Sequence, residues 1–226
     1  MYYIFYKLIL EIYLHVIHMT KYLILGKSGA GSLIPEFLFT ELKITYDIQF
    51  VSKEELVKST SKGYNPLGKI PVLILPDGTE IFESLAIVNY ITTNYPGLSP
   101  TKESTDYFQY WRMLSLLSST LYSGYHRQHH ANDYVNEIGF TSLKEKAQQE
   151  QSIIYDYIEQ NLNPYLCGEI ITAADFYLYT LTRWDFDKTK LRLGRPNLSI
   201  FLENLRSRKS VDKVLSQQPP KPKIRV

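Results

Sequence analysis

The residues best suited to chemistry stand in two short runs, Gly68-Lys69-Ile70-Pro71 and Glu83-Ser84. A proline at the start of a strand keeps the preceding residue extended. The amide and carbonyl of Ile70 are then free to pair with an incoming peptide backbone as an added strand would. A cis Ile70-Pro71 bond would expose them further, and either isomer is open to an X-Pro pair. The second run falls where a strand gives way to a helix. Free amides, the helix dipole and the Ser84 hydroxyl favour a carboxylate there, while Glu83 can accept hydrogen bonds from an ammonium. Together they suit the amine and carboxylate of one amino-acid end of a ligand. Taken singly each run has a plainer explanation, a strand-initiating proline or an ordinary helix cap. Their order, with a hairpin between them, makes the combination informative.

Other candidates carry less. His126, His129 and His130 have a metal-like spacing, but no cysteine and no matching ligand motif accompanies them, so no metal site is expected. Arg127 beside them could attract an anionic co-substrate. Tyr107, Tyr110, Trp111, Tyr122 and Tyr125 either wall a substrate pocket or fill the core and a dimer contact. Cys167 is the only cysteine, which excludes an internal disulfide and any redox chemistry needing two protein thiols.

The elements that must position the two runs follow from periodicity. Lys21 to Gly26 reads as a short apolar strand leading into the small-residue turn Lys27-Ser28-Gly29-Ala30-Gly31-Ser32. A helix follows, with Pro35 in its first turn and Phe37, Leu38 and Leu42 on its apolar face. Thr45 to Val51 is a second strand, and a short helix is expected around Glu54 to Lys58. Ile70 to Leu75 and Thr79 to Phe82 form a hairpin across Pro76-Asp77-Gly78. Glu83 to Asn94 returns to helical spacing, with Ser84 placed to accept amide hydrogen bonds at its start. The break Asn94 to Pro100 marks a domain boundary. Beyond it strand signals vanish, and amphipathic helices are expected over Asp106 to Tyr125, Ser142 to Asn161, Thr172 to Trp184 and Asn197 to Leu215. Thr172-Ala173-Ala174-Asp175 reads as a capping-box variant.

The expected organisation is an α/β domain over residues 19–94, a linker over 95–101, an all-helical domain over 102–217 and a free tail over 218–226. With 226 residues and 44% hydrophobic composition, the chain can bury a sizeable core. Its 25 Lys and Arg against 23 Asp and Glu leave a formal charge of +2, with no basic stripe for nucleic acid. Residues 1–18 have helical apolar spacing, but Lys7, Glu11 and His15 interrupt it and His18-Met19-Thr20 is a poor cleavage site. The segment is also too short and polar to span a bilayer. With Met19 directly before the first strand, it reads as a dispensable extension, a membrane-surface helix being the lesser alternative.

The string Asn65-Pro66-Leu67-Gly68-Lys69-Ile70-Pro71-Val72-Leu73, the Asp77-Gly78 hairpin and Glu83-Ser84-Leu85-Ala86-Ile87 together resemble the thioredoxin-like domain of glutathione transferases. Gly29-Ala30-Gly31-Ser32-Leu33-Ile34-Pro35 is similar to the Gly-Ala-Cys-Ser-Leu-Ala-Pro segment of bacterial beta-type members. Asn163 to Glu169, Thr172 to Asp175 and Arg183-Trp184-Asp185 match the family's helical domain, so the resemblance runs from about Lys21 to Gln217. It implies an N-terminal thioredoxin-like domain followed by a C-terminal helical bundle.

By this resemblance the Ile70 backbone pairs with the cysteinyl residue of glutathione, Glu83 and Ser84 hold its γ-glutamyl end, and Lys69 approaches from the side. Glutathione is then a co-substrate, its thiolate attacking a small hydrophobic electrophile or a peroxide. No metal cofactor is implied. The resemblance also implies detoxification in the cytoplasm by a homodimer, with neither nucleic acid nor membrane as partner. One departure bears on catalysis. The beta-type cysteine is replaced by Gly31, and the aromatic hydroxyl of other branches falls at Gly26. Ser28 and Ser32 remain as hydroxyl donors for the thiolate. Ser28, ahead of the helix, is the first choice, with a turn residue and a helix cap as the plainer roles of Ser28 and Ser32. A non-catalytic glutathione- or ligand-binding protein retaining the fold is the alternative.

Overall fold

The computed structural model describes residues 21–52, 55 and 65–220. The extension over 1–18, the helix expected around Glu54 to Lys58 and the tail from 221 onward lie outside the described residues.

The first layer is a mixed sheet in the order β2-β1-β3-β4. β1 (Tyr22–Gly26) and β2 (Tyr46–Phe50) run parallel, Tyr22 opposite Tyr46. A parallel pair needs a crossover, and α1 (Leu33–Glu41) supplies it. β3 (Val72–Ile74) lies antiparallel to β1, and β4 (Glu80–Phe82) antiparallel to β3. The β3-β4 turn depends on Gly78, whose φ of 87° suits a residue without a Cβ. Leu75 and Thr79 close it with an N–H···O bond of 2.8 Å. α2 (Ser84–Asn94) follows directly and buries Ile87, Val88 and Ile91.

The second part is helical: α3 (Tyr107–Ser115), α4 (Tyr122–His129), α5 (Phe140–Asn161), α6 (Ala173–Thr182), α7 (Lys188–Arg192), α8 (Pro196–Arg206) and α9 (Lys209–Ser216). The thioredoxin-like and helical-bundle architecture expected from the sequence is thus the one observed. Every residue of α6 is buried, as suits a helix apolar nearly all round. Its one acid, Asp175, sits in the expected capping box. The carboxylate accepts from the Thr172 N–H at 2.7 Å and the Leu166 N–H at 2.9 Å.

Two expected helices differ in detail. The stretch from Asp106 is interrupted by a π-helical segment, Leu116–Leu121, between α3 and α4. The last one divides into α8 and α9 at Arg208, whose backbone is extended and whose guanidinium pairs with Glu41 of α1. That ion pair is one of several ties between α1 and the helical layer. Phe37 meets Phe176 and Tyr179 at ring centroid distances of 6.2 and 5.9 Å. Residues 33 to 39 are buried without a break, because α1 has the sheet on one side and helices on the other. The tail expected from residue 218 is anchored at its beginning: Gln218 Nε2 donates to Glu36 at 2.9 Å, and the Pro219 carbonyl accepts from Ser28.

Glu36 is a carboxyl in this sandwich, 2% exposed, with Oε1 lacking a partner among the described residues. Burial pushes it up to about 7, against the opposing hydrogen bond from Gln218. The native state therefore holds a proton that the unfolded chain releases near 4.5, so folding stability falls as pH rises from about 4.5 to about 7. Glu36→Gln removes this titration. Its stability, measured by denaturant unfolding, is expected to vary less steeply across that window than the wild type's; parallel curves would contradict the assignment.

Candidate functional site

The expected residues meet at one end of the sheet, where β1 ends, β3 begins and β4 passes into α2. Ile70-Pro71 is a cis peptide. Ile70 lies just ahead of β3, and its N–H and carbonyl enter no ladder or turn bond among the described residues. What sets its position is Asn65, for which no role was expected from the sequence. Asn65 is 3% exposed, donates from Nδ2 to the Lys69 carbonyl at 2.8 Å and accepts the Leu67 N–H at 2.9 Å. An Asn ahead of Pro and Gly is a turn signal that could have identified it. Lys69 is exposed. Across from it, burial and then the Lys69 charge hold His126 below the usual imidazole range.

Glu83 is exposed and has φ of 67°, a region costly to any residue with a Cβ. Ser84 does not cap α2 as expected. It is the first helical residue, nearly buried, and its hydroxyl meets the Tyr177 hydroxyl of α6 at 2.6 Å. One Ser84 lone pair or its proton remains for a ligand.

The Ser28 to Ser32 loop is pinned from three sides. Ser28 donates to the Pro219 carbonyl at 2.7 Å, Gly29 N–H donates to Gln218 at 3.1 Å, and Trp184 Nε1 donates to the Gly29 carbonyl at 2.9 Å. Ser32 is fully buried and makes no cap bond; its hydroxyl donates to the Lys27 carbonyl at 3.2 Å. Both serine hydroxyls are thus engaged within the protein. Gly26 is a consequence, since a Cβ there would stand 2.5 Å from Ser32 Cβ. A Cβ on Gly31 would stand 3.3 Å from Pro71 Cδ and 2.8 Å from the Tyr122 hydroxyl, so loop, proline and helical domain meet at this residue.

The five aromatic candidates separate. Tyr110 and Tyr125 are core residues, the latter bonded to Tyr155 and Asp185. Tyr122 reaches the loop at Gly31. The histidines are engaged elsewhere: His126 Nδ1 with the Tyr134 hydroxyl at 2.8 Å, His129 Nε2 with the Trp184 carbonyl at 2.9 Å. Arg127 pairs with Glu150. Among the described residues no three metal-binding side chains converge, and no helix is long and apolar enough to cross a membrane. Burial pushes the Cys167 thiol up to about 12, so it stays protonated inside the helical layer.

Comparison with known proteins matches both parts. Residues 34–94 fit the family model described as glutathione S-transferase, N-terminal domain, and residues 133–209 the one described as glutathione S-transferase, C-terminal domain. The glutathione S-transferase GstA of Escherichia coli O157:H7 is 28% identical over 85% of this chain and 96% of its own length, so the likeness spans both domains. Among solved structures, a glutathione transferase homologue from Sulfitobacter with bound glutathione superposes with a TM-score of 0.78 at 22% identity. It covers 87% of this chain and 97% of the other. A sphingomonad glutathione S-transferase complexed with glutathione gives 0.73 at 22%, over 86% and 97%. At these identities the structural likeness speaks for the fold.

The contact between Gly26 and Ser32 is directly testable. Gly26→Ala places a methyl against a side-chain root that cannot swing away, and a loss of about 1–3 kcal/mol in unfolding free energy is expected. Adding Ser32→Gly should recover part of it; a double variant no more stable than Gly26→Ala would show that the two positions do not meet.

Proposed function

Because the chain belongs to the glutathione transferase family, we propose that it binds glutathione at this end of the sheet and activates the thiol for attack on a small electrophile or peroxide. The observation that carries the reading is the register of β3 and β4, Val72 opposite Phe82, which sets the open Ile70 backbone beside Glu83 and Ser84. The cysteinyl residue of the tripeptide pairs with Ile70 in the manner of an added strand. Glu83 receives the γ-glutamyl ammonium, and Ser84 with the first amides of α2 receives its carboxylate. Tyr177, bonded to Ser84, orients that hydroxyl. Lys69 supplies positive charge from the side. A thiolate formed at the start of α1 then donates its electron pair to carbon, displacing a leaving group, or to a peroxide oxygen, breaking the O–O bond so that the second oxygen leaves with the pair as an alkoxide. The reading extends to a homodimer working in the cytoplasm, without metal, nucleic acid or membrane.

A specific observation favours the second reading, a binding protein without turnover: Ser28 and Ser32 both spend their hydroxyls on backbone carbonyls, those of Pro219 and Lys27. As a thiol donor, Ser28 would have to exchange the Pro219 carbonyl for sulfur. Titration calorimetry with glutathione, thiolate absorbance of the bound tripeptide against pH, and turnover of an aryl halide and an organic hydroperoxide separate the two. Binding with an unshifted thiol and no turnover establishes the binding protein; no binding rejects both.

The backbone of Glu83 sharpens the test. Glu83→Gly relieves a positive φ that costs about 1–3 kcal/mol and removes the ammonium partner at once. The variant is expected to unfold no more easily than the wild type while binding glutathione about 10- to 100-fold more weakly. Unchanged affinity would remove Glu83 from the site.

A further inference from the structure

We propose that the Tyr122 hydroxyl, from the helical domain, donates the hydrogen bond that steadies the glutathione thiolate. The inference rests on the glutathione reading above and assigns a catalytic residue that neither serine of the loop supplies. Its basis is the space at Gly31. A Cβ there would lie 2.8 Å from the Tyr122 oxygen and 3.3 Å from Pro71 Cδ. The phenol oxygen therefore already occupies the ground into which a side chain at residue 31 would project. A cysteinyl residue paired with Ile70 brings its thiol to the same corner, between Pro71 and the start of α1.

Three features aim and ready this hydroxyl. The π-helical segment ends at Tyr122, whose N–H bonds to the Leu117 carbonyl five residues back. Such a segment sets the residues after it at a different angle from an unbroken α-helix. The ring is then fixed edge-on against Trp184, at 4.9 Å between centroids, and against Tyr177 at 6.4 Å. Those two neighbours are themselves bonded to the Gly29 carbonyl and to Ser84. The phenol is thus registered to both the loop and the clamp. Its oxygen makes no hydrogen bond among the described residues, so its proton is available to a ligand.

Burial, with the Glu83 carboxylate second, pushes the Tyr122 phenol up to about 12. The group stays a donor across the range in which a thiol ionises. In the step itself the glutathione thiol gives its proton to water and sulfur keeps the bonding pair. Tyr122 retains its own proton and shares it with the sulfur anion. When the thiolate forms its bond to an electrophilic carbon, the leaving group departs with its electron pair and the phenol is unchanged.

The experiment is the thiolate absorbance of bound glutathione against pH, in the wild type, Tyr122→Phe and Ser28→Ala. Phenylalanine keeps the ring packing and removes only the donor. The thiol pKa in Tyr122→Phe is expected to rise by about one to two units, with turnover at neutral pH down about 10- to 100-fold. Affinity for glutathione is expected within about threefold of the wild type, because the lost bond forms with the anion. Should Tyr122→Phe fail to fold, Gly31→Ala reads the same contact, its methyl displacing the phenol oxygen and raising the thiol pKa likewise. An unchanged thiol pKa in a variant that still binds glutathione overturns the proposal, as does a rise in Ser28→Ala without one in Tyr122→Phe. A wild type that fails to bind glutathione overturns the function reading first, and is distinguishable from either result.

Discussion

The structure depends on α1 being buried from both sides. A helix against a sheet ordinarily keeps one face in water, but residues 33 to 39 are all sealed, because α6 and the segment after α8 close over the outer face. Phe37 is shared between the two layers, and Glu41 is held by Arg208 and Ser210. The loop that precedes α1 inherits this confinement. Its backbone is bonded by Trp184 from one direction and by Gln218 from another. A loop of small residues, which alone would sample many conformations, is thereby delivered to the cleft in one shape.

That confinement gives the glycines their meaning. Gly26 cannot carry a side chain because Ser32 fills the space, and Ser32 is buried there to close the turn through Lys27. Gly31 is bounded by Pro71 and Tyr122. The two positions at which relatives place a thiol or a phenol are therefore closed by neighbours on opposite sides of the loop. A group facing a bound thiol has to come from elsewhere, and the wall opposite is made of α4 and α6. The helical domain contributes Tyr122, Tyr177 and Trp184 to that wall, each in contact with the first domain.

Local features were legible in the residues. The Asp77-Gly78 turn, the strand-to-helix junction at Glu83-Ser84 and the capping box of Asp175 each depend on neighbours within a few positions. The runs Gly68 to Pro71 and Glu83-Ser84 could be singled out because they stand in a fixed order close together. What escaped reading were partners far along the chain: Tyr177 for Ser84, separated by 93 residues, and Pro219 for Ser28, separated by 191. A serine at a helix start has the same appearance whether it caps or reaches across a domain interface. Likewise the aromatic run of α3 and α4 offers no sequence sign of which ring faces the cleft. A π-helical segment changes the facing of every residue after it, and periodicity assumes an unbroken 3.6-residue turn.

The distribution of strain and satisfaction follows the same division. Asp175, deep in the helical layer, has its carboxylate met by backbone and hydroxyl donors and serves the fold. Glu83, on the surface, is held at positive φ with no cap bond of its own, which stability alone would not retain. Among the described residues the hydroxyl of Tyr122 is likewise left without a partner while Tyr125, one helical turn on, is bonded twice. The strained Glu83 and the open backbone of Ile70 thus lie at the end of the sheet that Tyr122 also faces through Gly31 and Pro71. The proposed site keeps donors and acceptors open, and the surrounding sandwich supplies the rigidity that keeping them open requires.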